Sequence, residues 1–197
     1  MKTKEQLIAL IKDHNNIITV SQAEALGFSR TTLSRYVESG ELERVSQGIY
    51  ILSDALIDDL YLLTLRSKKI ILSHDTALFL NGLSERTPFI HSVTFPSNTS
   101  VPKSMEDQCV KYFIKPELHE IGLVELETTF GNKVRCYNIE RTICDLLRSR
   151  HRLDVETVIS AIKNYAAYPQ KDLNLLAEYG QLFKVNHDLR KYLEVLL

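Results

Sequence analysis

Two short helical segments separated by a tight turn constrain this chain more than any other feature of its sequence. Ser21 precedes Gln22-Ala23-Glu24-Ala25-Leu26, and the Ser-x-x-Glu spacing is that of a capping box. Gly27 stops this segment. Ser29 then caps a second run whose inward face is Leu33, Tyr36 and Val37 and whose end is Ser39-Gly40. Upstream, Leu7, Ile8, Leu10 and Ile11 keep helical spacing between Lys4 and Asn15 behind Thr3, a candidate N-cap. Ile17 to Val20 is long enough only for a connector or stub strand. Downstream, Leu42-Glu43-Arg44-Val45 and Gly48-Ile49-Tyr50-Ile51 alternate around Ser46-Gln47 like two short strands. The pattern predicts a winged helix-turn-helix over residues 1–53.

The second helix of such a unit can lie in the DNA major groove with its N-terminal turns at the base edges. At 100° per residue, Thr31 and Arg35 point away from the Leu33 and Val37 face, with Thr32 and Ser34 on its flanks. Arg35 can pair bidentately with guanine, and Thr31 and Thr32 can bond bases or touch thymine methyls. Ser29 and the helix N-terminus can hold a phosphate, which Arg30 also reaches. The alternative is a small helical module that binds protein, in which these hydroxyls are only caps. Charge does not decide between them: Lys2, Lys4, Lys12, Arg30, Arg35 and Arg44 face six acidic residues within 1–53, and the whole chain carries net charge −1. Yet Arg30, Arg35 and Arg44 fall on the groove-facing elements, which favours DNA.

Ser53-Asp54 ends the wing pattern, and residues 54–197 read as a second, α+β domain. Leu56, Ile57, Leu60, Leu63 and Thr64 keep helical spacing to about Arg66, and Ile70-Ile71-Leu72 reads as a short buried strand. Ser73 caps a helix through Leu80 that Asn81-Gly82 ends. His91–Phe95, Val110–Lys115, Leu123–Thr129 and Val134–Tyr137 read as strands, the last two joined by a turn at Gly131-Asn132. Asn138, Asp154, Asp172 and Asn186 then open four helices, the last carrying Leu189, Tyr192, Leu193 and Leu196. Strands clustered mid-domain with helices after them indicate α+β rather than a doubly wound sheet.

The chemistry-bearing residues do not assemble into a catalytic set. The His residues make no H-E-x-x-H, and Cys109, Cys136 and Cys144 have no C-x-x-C spacing. The cysteines read as reduced, buried small side chains. No P-loop, G-x-G-x-x-G or G-x-S-x-G occurs. His74-Asp75 would need a nucleophile that nothing nominates, and Glu125 and Glu127 share a strand face without a supporting Lys, as on a solvated face. No catalytic residue, metal ligand or cofactor is assigned, and the expectation is a protein that is not an enzyme. No apolar run approaches the roughly 20 residues of a membrane span, and the opening Met1-Lys2-Thr3-Lys4-Glu5 is unlike a signal peptide, so the chain reads as cytoplasmic.

Four segments in order carry a resemblance. These are Ser73-His74-Asp75-Thr76-Ala77-Leu78-Phe79-Leu80-Asn81-Gly82-Leu83-Ser84-Glu85-Arg86-Thr87-Pro88, Val93-Thr94-Phe95-Pro96, Thr129-Phe130-Gly131-Asn132-Lys133-Val134-Arg135, and Glu140-Arg141-Thr142-Ile143-Cys144-Asp145-Leu146. With the wing, Gly40 to Val45 and Gly48 to Tyr50, they resemble the AbiEi family of abortive-infection antitoxins, collinearly and over nearly the whole chain. The resemblance implies the antitoxin of a bacterial AbiE-type, type IV toxin-antitoxin pair that serves in phage defence. It implies a nucleotidyltransferase-like toxin as functional partner, countered by the C-terminal domain without a stable complex. It also implies autorepression, with the N-terminal domain on promoter inverted repeats. One departure is Gln47, where the wing tip of the family commonly carries Arg or Lys, leaving Arg44 as the wing cation.

Caps and core residues account for much of that signature without function. Arg86, Arg135 and Arg141 are the exceptions, and they join Arg148, Arg150 and Arg152 as a candidate antitoxin surface. Three Arg in five residues suit phosphate recognition, although cations at a helix C-terminus also compensate its dipole. The competing function is an ordinary winged-helix transcription regulator whose second domain senses a ligand.

Overall fold

The structure, a computed structural model, describes residues 3–101, 105 and 108–196, with the side chains of 193–196 excepted. Lys2 and the side chains of Leu193 and Leu196, named above, lie outside the described residues. The chain forms two compact units, Met1–Asp58 with Phe130–Asn132, and Asp59–Thr129 with Lys133–Leu197.

The first unit begins with α1 (Lys4–Asp13), where the Thr3 hydroxyl and the Gln6 side chain cap each other's backbone N–H groups. β1 (Ile17–Thr19) is followed by α2 (Val20–Ala25), α3 (Arg30–Glu38), β2 (Leu42–Ser46) and β3 (Ile49–Leu52). Contrary to the Ser21 expectation, the cap of α2 is Thr19, whose Oγ1 accepts from Gln22 N at 3.2 Å while Gln22 Oε1 accepts from Thr19 N at 2.8 Å. The competing frame lies two residues later. It loses because β1 pairs antiparallel with β3, Thr19 opposite Ile49, so the strand hands the chain to the helix at Thr19. The three strands order as β1-β3-β2. Leu7, Ile11, Ile18, Ala23, Phe28, Leu33, Leu42, Tyr50 and Leu52 make one apolar core, which fixes α3 by its Leu33 side.

The second unit contains α4 (Asp59–Leu65), β4 (Ile71–Leu72), α5 (His74–Leu80), β5 (His91–Pro96), β6 (Cys109–Ile114), β7 (Leu123–Glu127) and β8 (Lys133–Tyr137). α6 (Ile139–Arg148), α7 (Val155–Ala167), α8 (Leu173–Leu182) and α9 (Asn186–Leu196) follow. The strands order as β6-β5-β4-β8-β7, with β4·β8 and β5·β6 parallel and the other pairs antiparallel. The molecule is α+β, as its pattern predicts. α4 starts later than expected: Leu56 and Ile57 precede it and are exposed, because their spacing meets no core surface. Two cores flank this layer, one built on α6, α7 and α8 and one on β4, β5 and β8.

Candidate nucleic-acid interface

Ser29 sits in extended backbone before α3 and its Oγ accepts from Thr32 N at 3.1 Å, while the Ser29 and Thr32 hydroxyls bond each other at 2.9 Å. The tight turn before it is closed by Gly27, at φ 83°, a left-handed conformation that suits glycine. Leu33 is fully buried and Tyr36 and Val37 are half-buried, so the opposite face is set toward solvent. Thr31, Ser34 and Arg35 are exposed there, and Thr32 is half-buried beside them. The Arg35 guanidinium carbon lies 5.5 Å from the Tyr36 ring centroid. Glu38, which the sequence reading passed over, is exposed on the same stripe, seven residues or about two turns beyond Thr31. Its position at the C-terminal end keeps the acid away from the turns suited to base edges.

The flanking cations differ in how they are held. Arg30 pairs with Glu24 through Nε at 2.9 Å, with the two side chains 74% and 45% exposed, a pair that a phosphate can displace at low cost. Arg44 is exposed on β2, and its Nε donates to Ser46 O at 3.4 Å across a bulge between Arg44 and Ser46. Gln47 is exposed at the wing turn beside Gly48. Ser29, Arg30, Thr31, Thr32, Ser34, Arg35, Arg44 and Gln47 therefore lie on one helix, its cap and the adjoining wing.

The arginines expected on an antitoxin surface do not form one exposed patch; Arg141 and Arg148 meet on the buried Asp145 instead. Arg141 is fully buried and belongs to the interior, which corrects its assignment to a surface. Its Nε donates to Asp145 Oδ2 at 2.9 Å, and its Nη1 donates to the carbonyls of Leu118 and Ile121 at 2.9 and 2.7 Å. Its guanidinium lies between the Tyr137 and Phe183 rings, at 4.1 and 4.0 Å from their centroids. Arg148 is mostly buried, with Nη2 3.0 Å from Asp145 Oδ1. Arg150 pairs with Asp188 at 2.9 Å and donates to Leu147 O, closing the end of α6. Arg152 covers the Tyr112 ring at 4.4 Å and donates to Lys111 O. Arg135 pairs with Glu120 at 2.7 Å and also donates to Lys68 O. Arg86 is exposed and lines a cleft with Asp75 and the start of α7.

Around α5 lies a polar cluster that the sequence treats only as a helix start. Ser73 occupies the N-cap position but makes no cap hydrogen bond. Its hydroxyl instead accepts from Thr94 Oγ1 at 2.8 Å and lies 3.0 Å from His74 Nδ1, while His74 Nε2 lies 3.0 Å from Ser149 Oγ. His74 is fully buried at φ 49° and stacks on Tyr112 with centroids 3.4 Å apart. Burial holds the imidazole well below its ordinary pKa, and Arg148, Arg141 and Arg152 push it further down. Ser73, His74 and Ser149 are 0%, 0% and 7% exposed, and no carboxylate orients the ring, so the arrangement is a core polar network rather than a nucleophile with its base. Burial likewise pushes the Cys136 and Cys144 thiols up to about 12, which keeps them protonated and unreactive. Asp154 precedes α7 without capping it through its side chain. Glu125 and Glu127 are exposed, Glu125 paired with Lys133 at 3.1 Å.

Among the described residues, no group of three or more His, Cys, Asp or Glu is placed to hold a metal ion, and no helix is long and apolar enough to cross a membrane. No curated protein matches the chain significantly. Among solved structures, the chain is similar to the RV2827C protein from Mycobacterium tuberculosis, with TM-score 0.63 and 12% identity over 98% of this chain and 80% of that one. At that identity the likeness is one of fold. The family described as "Transcriptional regulator, AbiEi antitoxin" matches residues 5–53, the span holding α1 to β3. The likeness to that family is carried by these N-terminal residues.

Proposed function

We propose that the protein is the antitoxin and transcriptional autorepressor of an AbiE-type operon active in phage defence. The N-terminal unit binds promoter inverted repeats, and the C-terminal domain counters a nucleotidyltransferase-like toxin without a stable complex. The observation that carries the reading is the outward face of α3: Thr31, Ser34 and Arg35 stand exposed on a helix anchored by buried Leu33, inside the span matched by the antitoxin family. Such residues on the first two turns of a helix suit base edges, and Arg44 beside them suits a phosphate. One short helix supplies few contacts, so two copies on half-sites about one helical turn or a multiple apart give the repressing complex. The non-enzymatic reading rests on the buried, unreactive state of the polar groups described above.

The test uses the full chain and its Arg35→Ala variant, assayed for promoter binding by anisotropy and for rescue of a co-expressed downstream toxin by growth. The expected result is weakened, less specific promoter binding with rescue retained. Parent affinity in the variant overturns the helix assignment, and absence of rescue by the parent chain overturns the antitoxin reading. Footprinting adds a separate check: full-affinity protection of one isolated half-site refutes paired binding.

A further inference from the structure

We infer that the cleft between the Leu83–Ile90 segment and the start of α7 docks a basic peptide segment, an arginine flanked by apolar residues, from a protein partner. The cleft has a volume of about 530 Å³. Its floor is apolar, with Leu78, Leu83 and Ala161 among its lining residues, and Asp75, Asp154 and Glu156 contribute carboxylates against the single guanidinium of Arg86. Asp75 Oδ1 is buried without a hydrogen-bond partner, so the carboxyl has lost water at that oxygen without gaining a donor, and a guanidinium in the cleft that Asp75 lines brings positive charge beside it. Burial raises the Asp75 carboxyl and Arg86 draws it back, in keeping with a carboxylate short of cations. Asp154 makes no cap hydrogen bond at α7, and Glu156 is exposed, so both acids remain available.

The rim supplies the second half of the chemistry. Phe89 is fully exposed at 101% and Ile90 is 48% exposed, both lining the cleft, and Val155, 65% exposed, lies between Asp154 and Glu156 in sequence. Contiguous apolar side chains rimmed by charge mark interaction surfaces, and an aromatic ring beside carboxylates suits an arginine, whose stem packs while its fork bonds. The excess of acid disfavours a nucleic acid, and a bare ammonium ion offers neither a planar fork to the carboxylates nor apolar flanks to Phe89 and Ile90. The site belongs wholly to the second unit, whereas the α3 face on which the proposed repression depends belongs to the first.

The experiment titrates the full-length, isotopically labelled chain with a capped leucine-arginine-leucine-arginine-leucine peptide. The controls are its citrulline counterpart, inorganic phosphate and a short DNA duplex. The expected result is amide shifts centred on residues 83–90 and 154–164, and binding weakened about five- to tenfold by Asp154→Asn with Glu156→Gln. Phe89→Ser, at a fully exposed site, gives a comparable loss with the fold preserved. No binding of the arginine peptide, equal binding of the citrulline peptide, parent affinity in the variants, or shifts of the cleft with phosphate or DNA each overturns the inference. Promoter binding, measured on the same variants, stays at the parent value and separates this test from that of the repressor reading.

Discussion

α3 and α6 are helices of nearly equal length, each opened by a polar cap and each carrying arginine, yet they use their charges in opposite ways. On α3 only Leu33 is fully buried, and Arg30 and Arg35 face solvent. On α6 every residue from Glu140 to Leu147 is buried. There the polar side chains are spent on the fold: Glu140 accepts from Asp172 N at 3.1 Å at the start of α8, the Thr142 hydroxyl donates to Asn138 O at 2.7 Å, and Arg141 meets Asp145. A helix whose charges are already paired inside the protein has little left to offer a ligand, whereas one that leaves its donors in water keeps them for a partner. The difference teaches that the density of charged residues in a motif does not locate a site; their desolvation does.

The sharpest way to break this contrast is Arg141→Ala, which takes from Asp145 one of its two guanidinium partners and strands the Leu118 and Ile121 carbonyls in the interior. The expected loss is about 3–5 kcal/mol of stability of the second unit, read from urea unfolding, with an unchanged unfolding midpoint contradicting a structural role. Gly122→Ala attacks the same arginine from the backbone. At φ 76° a new Cβ would stand 2.7 Å from Arg141 Cβ, and the combined strain and crowding should cost about 1–3 kcal/mol in the same assay.

On the other side of the contrast, Arg35→Ala should weaken promoter binding by about 1–3 kcal/mol and relax specificity while leaving the thermal midpoint within error of the parent. Arg44→Ala should lower affinity alike for all sequences and flatten the salt dependence. A thermal midpoint that falls with Arg35→Ala would place that residue with Arg141 among structural cations. Acid titration sharpens the comparison further. His74 has a folded pKa depressed below 6.5, so the unfolded chain binds more protons as pH falls through that value. Its neutral form is carried without penalty above pH 6.5, and stability is lost as pH drops from there toward the depressed value. Chemical denaturation at descending pH should show this loss in the parent and a flatter profile in His74→Gln, with equal slopes rejecting the assignment. The smallest effect is expected from Arg30→Gln: the exposed pair with Glu24 should contribute no more than about 1 kcal/mol to stability, checked by the same unfolding curves.

Much of the helical framework was legible because its signals are short-range. Thr3, Ser29, Asn138 and Asp172 each accept a backbone N–H two or three residues on, so the residue type and its place before a helical run suffice to name them. Thr19 escaped because two overlapping cap frames stand two residues apart and only the β1·β3 pairing chooses between them. The outward stripe of α3 followed from the helical period, and Glu38 was available from the same period. In the second unit the polar cluster was not legible: Thr94 and Ser149 lie 21 and 75 positions from their partners Ser73 and His74, and nothing local marks them.

What the sequence by itself determined is therefore the local grammar: two capped helices about a glycine turn, a wing, and an α+β order of elements after it. Each depends on hydrogen bonds and periodicities spanning a few residues, which survive any choice of tertiary partner. What only the tertiary structure decided is the fate of the arginines. Arg141 reaches carbonyls 20 and 23 residues away and rings at Tyr137 and Phe183, so its burial exists only once β8, α6 and the segment after α8 have assembled around it. Arg35 has no such enclosure because Leu33 turns the other side of α3 inward. Desolvation is a property of the surroundings rather than of the side chain, and for that reason two arginines that read alike in sequence part company in the fold.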